Sequence, residues 1–104
     1  MSEEEKPLVL IVPPGHEEED KFFQMLFDAH KNIEEFGAFV TILRAEHWCY
    51  WWLEEAARLD VVNATIERSQ GDPFMYAVNF AASQQARVNA DAWHKCAQQW
   101  EVQK

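Results

Sequence analysis

The stretch Glu46-His47-Trp48-Cys49-Tyr50-Trp51-Trp52-Leu53 decides the fold of this chain. It lies at the middle of a run, residues 39–69, that contains neither Gly nor Pro. Apolar residues recur in this run at steps of three and four, which is the period of a helix with a buried seam. They form three neighbouring lines: a first line of Ile42, Ala45, Cys49, Trp52, Ala56, Leu59 and Ile66, a second of Phe39, Leu43, Tyr50, Ala57, Val61 and Ala64, and a third of Val40, Trp48, Trp51 and Val62.

A helix that is apolar nearly all round belongs at the centre of a structure. The chain has 104 residues, which suits a single domain. It therefore offers few other elements with which to surround such a helix. We expect part of the cover of the central helix to come from another molecule.

A shorter helix is predicted ahead of the central one, over residues 17–36. Its apolar positions follow the spacing 4, 3, 4, 3 of a packed helix, and they are Phe22, Leu26, Ala29, Ile33 and Phe36. Gly37 has the place of a residue that ends a helix. The central helix is then predicted over residues 39–69.

A third helix is predicted over residues 73–99. Gly71 supplies a stop for the central helix, Asp72 an N-cap and Pro73 the first position of the next helix. The two long helices are expected to form an antiparallel hairpin. The predicted fold class is all-α, a three-helix arrangement with an extended N-terminal segment over residues 1–15.

The extended segment contains the apolar run from Leu8 to Val12, which is partly β-branched and has prolines at both ends. A strand needs a partner, and no second strand-like run occurs in the sequence. Three arrangements stay open: the segment lies over the helices as a strap, it pairs with its copy in a dimer, or it adds to the sheet edge of another protein.

The chain is acidic, with a net charge of −9 and a sequence pI near 4.8. Ten acidic and three basic side chains fall within residues 1–37, a net charge of −7 for that part. Direct binding to nucleic acid is not expected, because no basic patch is present to neutralise phosphates. The acids are either a solvated helix start or a surface that docks on a basic partner, and the candidates for such a guide are Glu17, Glu18, Glu19 and Asp20.

Cys49 and Cys96 fall within helices among apolar residues, and no signal peptide precedes them. Free thiols in a reducing, cytoplasmic compartment are therefore expected. No apolar run reaches the roughly 18 residues that a membrane span requires. The sequence predicts a cytoplasmic protein without a membrane partner.

Two His-x-Cys triplets, His47 with Cys49 and His94 with Cys96, would lie at the same level of the hairpin. These ligand types suit zinc. Residues two apart on a helix point about 200° apart, so only one member of each triplet can face a shared ion. We therefore predict no metal and no cofactor.

No catalytic motif is present. The sequence has no nucleophile in a strand–turn–helix setting and no Gly-rich phosphate loop. Five Trp in one small domain are the unusual feature. Trp52 and Trp93 are as well explained by an aromatic core as by an interface. Trp48, Tyr50 and Trp51 are predicted as anchors of a protein contact, since Trp and Tyr are common at such contacts.

The size of the chain, the opening Pro7-Leu8-Val9-Leu10-Ile11-Val12-Pro13-Pro14, the Phe36-Gly37 step and the stretch Glu46-His47-Trp48 resemble a family of small phage proteins. These are host-nuclease inhibitors directed at the bacterial RecBCD recombination nuclease. The resemblance implies a non-enzymatic protein that binds a DNA-processing machine and changes its activity. It carries over no site residues.

The leading hypothesis is a non-catalytic binding protein that docks on a larger host or cognate protein and inhibits or modulates it. The first alternative is a structural homodimer that buries the same surface against its copy. The second is a helical protein that binds a metal or cofactor through His47, Cys49, His94 and Cys96.

Overall fold

A computed structural model describes residues 8–30 and 32–102 of the chain. Three helices follow one another in these residues: α1 (Glu17–Ala29), α2 (Glu34–Arg68) and α3 (Pro73–Val102). Helices α2 and α3 form a long antiparallel hairpin, and α1 lies against the first half of α2. The predicted all-α class and the helical hairpin are confirmed.

The join between α1 and α2 differs from the prediction. Helix α1 ends at Ala29 rather than at 36, and α2 begins at Glu34 rather than at 39. The predicted stop residue, Gly37, lies inside α2. A Cβ atom at Gly37 would come within 3.3 Å of the Phe27 ring. This glycine therefore allows a close approach between the two helices and does not end either of them.

The turn between the long helices lies where it was predicted, but α2 ends at Arg68 rather than at 69, and the left-handed residue after it is Gln70 rather than Gly71. Gly71 donates its N–H to the carbonyl of Ile66 at 2.8 Å, and Gln70 donates to the carbonyl of Glu67 at 3.2 Å. This is a Schellman motif, in which Gln70 has the left-handed φ of 56°. The Asp72 carboxylate accepts the N–H of Phe74 at 2.9 Å, so the predicted N-cap of α3 is confirmed. Helix α3 continues past the predicted residue 99 to Val102.

The first apolar line of α2 faces α3. Its members Ala45, Trp52, Ala56 and Leu59 are buried. Small side chains of α3 meet the bulky ones of α2, which lets the two backbones approach each other. The buried apolar residues that α3 contributes are Ala86, Ala90, Trp93, Cys96 and Ala97. The core is therefore a single seam between two helices.

Residues 8–12 of the N-terminal segment lie over this seam as a strap, and residues 1–7 of the predicted segment lie outside the described residues. Leu8, Ile11 and Val12 pack against the core. The carbonyl of Ile11 accepts the indole N–H of Trp52 and that of Trp93, both at 2.9 Å. One backbone oxygen thus holds the strap to both long helices at once. Of the three arrangements left open by the sequence, the structure shows the strap.

The molecule is a thin slab. Its Cα extents are 57 × 36 × 16 Å and its radius of gyration is 17.0 Å, against about 13 Å for a compact domain of this length. Helix α1 and the strap lie on the same face of the hairpin. Within residues 8–30 and 32–102, no further element covers the opposite face of the hairpin.

Candidate functional site

Trp48 is the predicted anchor that the structure places most clearly. Its side chain is 0% exposed. Its indole Nε1–H donates to Asp20 Oδ1 at 2.7 Å. The prediction that Trp48 anchors a contact with a partner protein is therefore wrong, because α1 covers the ring and accepts the hydrogen bond from its only donor.

Asp20 holds α1 against α2. It accepts two hydrogen bonds from Arg44, Nε to Oδ1 at 2.7 Å and Nη2 to Oδ2 at 2.8 Å. The Arg44 guanidinium also lies 5.0 Å from the centre of the Trp93 ring, within reach of a cation–π contact. Burial raises the pKa of Asp20, but the hydrogen bonds from Arg44 and Trp48 outweigh burial, and the pKa is lowered. Asp20 is thus engaged inside the chain and is not part of a docking surface.

Glu19 is also engaged within the chain. It lies 3.0 Å from His16 Nδ1 and 2.8 Å from His47 Nε2. These contacts, that of His16 first, lower the pKa of Glu19. The cluster joins the start of α1 to α2, beside the pair formed by Asp20 and Arg44.

The other two acids of the predicted guide face solvent. Glu17 accepts the N–H of Gly15 at 3.1 Å, and Glu18 lies 3.3 Å from the exposed Lys21. Exposed pairs of this kind contribute little to stability. Of the four acids predicted to attract a basic partner, only Glu17 and Glu18 therefore remain candidates.

The rotation of α1 about its axis differs from the predicted seam. Phe22, placed on the buried line by its spacing, is 58% exposed, whereas Phe23 is buried. Asp20 and Phe23 share a face because they are three residues apart. Since Asp20 faces Arg44, Phe23 turns inward with it and Phe22 turns out.

Trp51 and Tyr50 have different surroundings. Trp51 is half-buried, with its ring centre 5.0 Å from that of His16 and 5.1 Å from that of Trp52. Tyr50 is 65% exposed. Both Trp48 and Trp52 face inward, and a residue two positions away on a helix points to the other side. Of the three predicted anchors, Tyr50 is the one that α1 and the strap leave accessible.

Tyr50 belongs to an exposed, mostly apolar stripe on the side of α2 away from α1, beside the edge of α3. We call it the outer seam, and it consists of Phe39, Leu43, Glu46, Tyr50, Leu53 and Ala57. The spacing of these residues, 4, 3, 4, 3, 4, is that of a coiled-coil seam. It contains most of the second apolar line of the sequence, so that line is left without a partner in the described part of the chain.

A groove between α2 and α3 borders the outer seam and has a volume of about 310 Å³. Glu46, Cys49, Tyr50 and Leu53 line it from α2. His94, Ala97, Gln98 and Glu101 line it from α3. It opens on the face opposite α1 and the strap. Glu46 and Leu53 were not predicted as site residues, although they lie four residues before and three residues after Tyr50 and therefore share its side of the helix.

The two cysteines have different surroundings. Cys49 is partly buried beside the groove and Cys96 is buried in the core, and both are free. Burial raises the pKa of both thiols, which makes them poor nucleophiles at neutral pH. Among residues 8–30 and 32–102, no three His, Cys, Asp or Glu side chains are grouped so as to hold a metal ion. In the same residues, no helix has the length and apolar character needed to cross a membrane.

The site thus defines a class of molecule, a strapped helical hairpin with one bare apolar side. No family model matches the chain, and neither a curated protein nor a solved structure is found to be similar to it.

Proposed function

We propose that this protein is a non-catalytic binding module that docks on a larger protein and inhibits or modulates it. The observation that carries the proposal is the outer seam, in which four large apolar side chains, Phe39, Leu43, Tyr50 and Leu53, are exposed on a chain too thin to cover them. Contiguous exposed apolar surface is typical of protein–protein contacts. Tyr50 at its middle is of the residue type that often anchors them.

The resemblance to phage inhibitors of RecBCD makes a DNA-processing enzyme the first target to test. A cytoplasmic location is part of the same proposal, since such a target is found there. Exposed Glu17 and Glu18 on α1 would speed encounter with a basic surface and make the association rate depend on salt.

The test is the ATP-dependent double-strand exonuclease activity of purified RecBCD, measured with increasing amounts of the protein. We expect activity to fall as the protein approaches a stoichiometric amount. An ATP-independent exonuclease serves as the control, because sequestration of the DNA would slow both enzymes. Undiminished RecBCD activity, with no complex detected by light scattering at micromolar concentrations, would refute this target.

Self-association is the second candidate function, and one observation favours it. The end of the hairpin near the turn is covered by neither α1 nor the strap, and it exposes apolar side chains from both long helices: Val61, Val62, Phe74, Met75 and Val78. Two such ends could pair across a two-fold axis. Sedimentation at low micromolar concentration distinguishes a dimer from a monomer.

A further inference from the structure

We propose that the outer seam binds an amphipathic helix of a partner protein that carries a basic residue at the centre of its apolar face. This proposal rests on the proposed function and specifies the partner's chemistry. The first reason is the spacing of the seam. Side chains at alternating steps of four and three receive the side chains of a neighbouring helix between them. Residues 39–57 rise about 27 Å along the helix axis, which fits a partner helix of about five turns.

The groove beside the seam gives the partner helix a second wall. Tyr50 and Leu53 belong to the outer seam and also line the groove, and Ala97 lines the groove from α3. A helix laid on the seam would therefore contact both long helices of the hairpin. Apolar anchors against a concave wall are what amphipathic helices use in helix-in-groove recognition.

Glu46 determines which charge the partner helix must carry. It is the one charged member of the outer seam, and it also lines the groove. No ion pair is formed by Glu46 within the described residues. Covering an unpaired carboxylate with an apolar helix is strongly unfavourable. The occupant must therefore bring a Lys or Arg to the level of Glu46.

A second copy of this chain does not supply that cation through the same seam. Arg44 is the only Lys or Arg within residues 39–57, and both oxygens of Asp20 hold its guanidinium. Two outer seams aligned in parallel would place Glu46 against Glu46. Aligned antiparallel about their midpoint, they would place Glu46 against Tyr50. A helix of another protein that carries a basic residue would pair with the Glu46 carboxylate, whereas a second copy of this chain leaves that carboxylate unpaired.

The test uses two labelled amphipathic peptides of about five helical turns, with Leu on the apolar face. One carries Lys at the central apolar position and the other carries Glu there. We expect the Lys peptide to bind the full-length protein at least tenfold more tightly than the Glu peptide, measured by fluorescence anisotropy. In the Glu46→Lys protein the preference should reverse. Equal binding of the two peptides, or no binding of either, would overturn the proposal.

Two variants of the protein locate the binding surface. The double variant Tyr50→Ala/Leu53→Ala should weaken binding of the Lys peptide at least tenfold. Phe22→Ala is the matched control, since Phe22 is an exposed aromatic residue on α1, and it should change affinity less than twofold. Circular dichroism confirms that each variant keeps its helix content. Equal losses in the double variant and the control would refute the outer seam as the site.

Two further outcomes separate this inference from the proposed function. If sedimentation shows a wild-type dimer that the Tyr50→Ala/Leu53→Ala variant abolishes, the occupant is a second copy and the inference fails. If the same variant still inhibits RecBCD and the wild-type protein binds neither peptide, the inference fails while the proposed function stands.

Discussion

Replacing Asp20 with Asn tests how α1 is held on the hairpin. The Asp20 carboxylate accepts two hydrogen bonds from Arg44 and one from Trp48, all between 2.7 and 2.8 Å. Hydrogen bonds to a charged group contribute about 1.5–3 kcal/mol each when buried. Water can replace part of this, because the side chains of Arg44 and Asp20 are 37% and 18% exposed. Asn also keeps one acceptor, so we expect a loss of about 2 kcal/mol in the free energy of unfolding at pH 7.

The loss is measured by urea denaturation followed by tryptophan fluorescence. With a slope of about 1–2 kcal/mol/M, a loss of about 2 kcal/mol lowers the midpoint by roughly 1–2 M urea. The matched control is Glu18→Gln, because Glu18 pairs only with the exposed Lys21. That change should stay within about 0.5 kcal/mol. A midpoint for Asp20→Asn no lower than that of the control would show that the contacts of Asp20 do not stabilise the fold.

The dependence on pH gives a second check of the same reasoning. The pKa of Asp20 in the folded protein is lowered from its ordinary value of 3.8. The stability that its charge contributes is therefore present well above pH 3.8 and is lost as the pH falls through the lower, folded-state pKa. The difference between wild type and Asp20→Asn should be constant from pH 7 to pH 5 and should shrink below pH 4. A difference that is equally large at pH 7 and at pH 2.5 would refute the assignment to the carboxylate.

Three further changes test the strap, the seam and the turn by the same denaturation measurement. Trp52→Phe and Trp93→Phe should each destabilise by about 1–2 kcal/mol, and the double variant by more than their sum, because only then does the half-buried carbonyl of Ile11 lose both donors. Simple additivity would argue against the shared acceptor. Asn63→Leu should change stability by no more than about 1 kcal/mol, because it removes both the hydrogen bond from Nδ2 to the Tyr76 carbonyl at 3.0 Å and the buried Oδ1 that has no partner; a loss above about 2 kcal/mol would contradict this. Gln70→Gly should stabilise by about 0.5–1 kcal/mol, because Gln70 has a φ of 56°, and a destabilised variant would contradict the left-handed conformation.

Periodicity along the sequence predicted three helices and the seam between α2 and α3, but it misplaced the join between α1 and α2 and the buried face of α1. It placed Ala45, Trp52 and Ala56 on one line, and these residues form the core. The turn was equally readable, since Asp72 and Pro73 are local signals whose effect does not depend on tertiary contacts. Local chemistry and spacing therefore account for the architecture.

The choice among the three apolar lines of α2 could not be predicted. All three are hydrophobic, so pattern alone does not say which lines are covered by α1 and the strap and which stays bare. That choice depends on contacts between distant residues: Asp20 with Arg44 and Trp48, and the carbonyl of Ile11 with Trp52 and Trp93. A spacing rule does not contain these pairings. They turned Val40 and Trp48 of the third line inward and left most of the second line exposed.

The indoles explain why the tryptophan-rich stretch misled the prediction of the interface. A strap that crosses a two-helix seam buries a backbone carbonyl without a strand to pair with it, and an unpaired buried carbonyl is unfavourable. An indole can both fill the space beneath a strap and donate a hydrogen bond to it, which an aliphatic residue cannot. Trp52 and Trp93 do this for Ile11, and Trp48 does the same for a carboxylate of α1. Tryptophan is therefore concentrated here where a thin fold needs a large side chain with one donor, and the surface left for a partner is the line of α2 that contains no tryptophan.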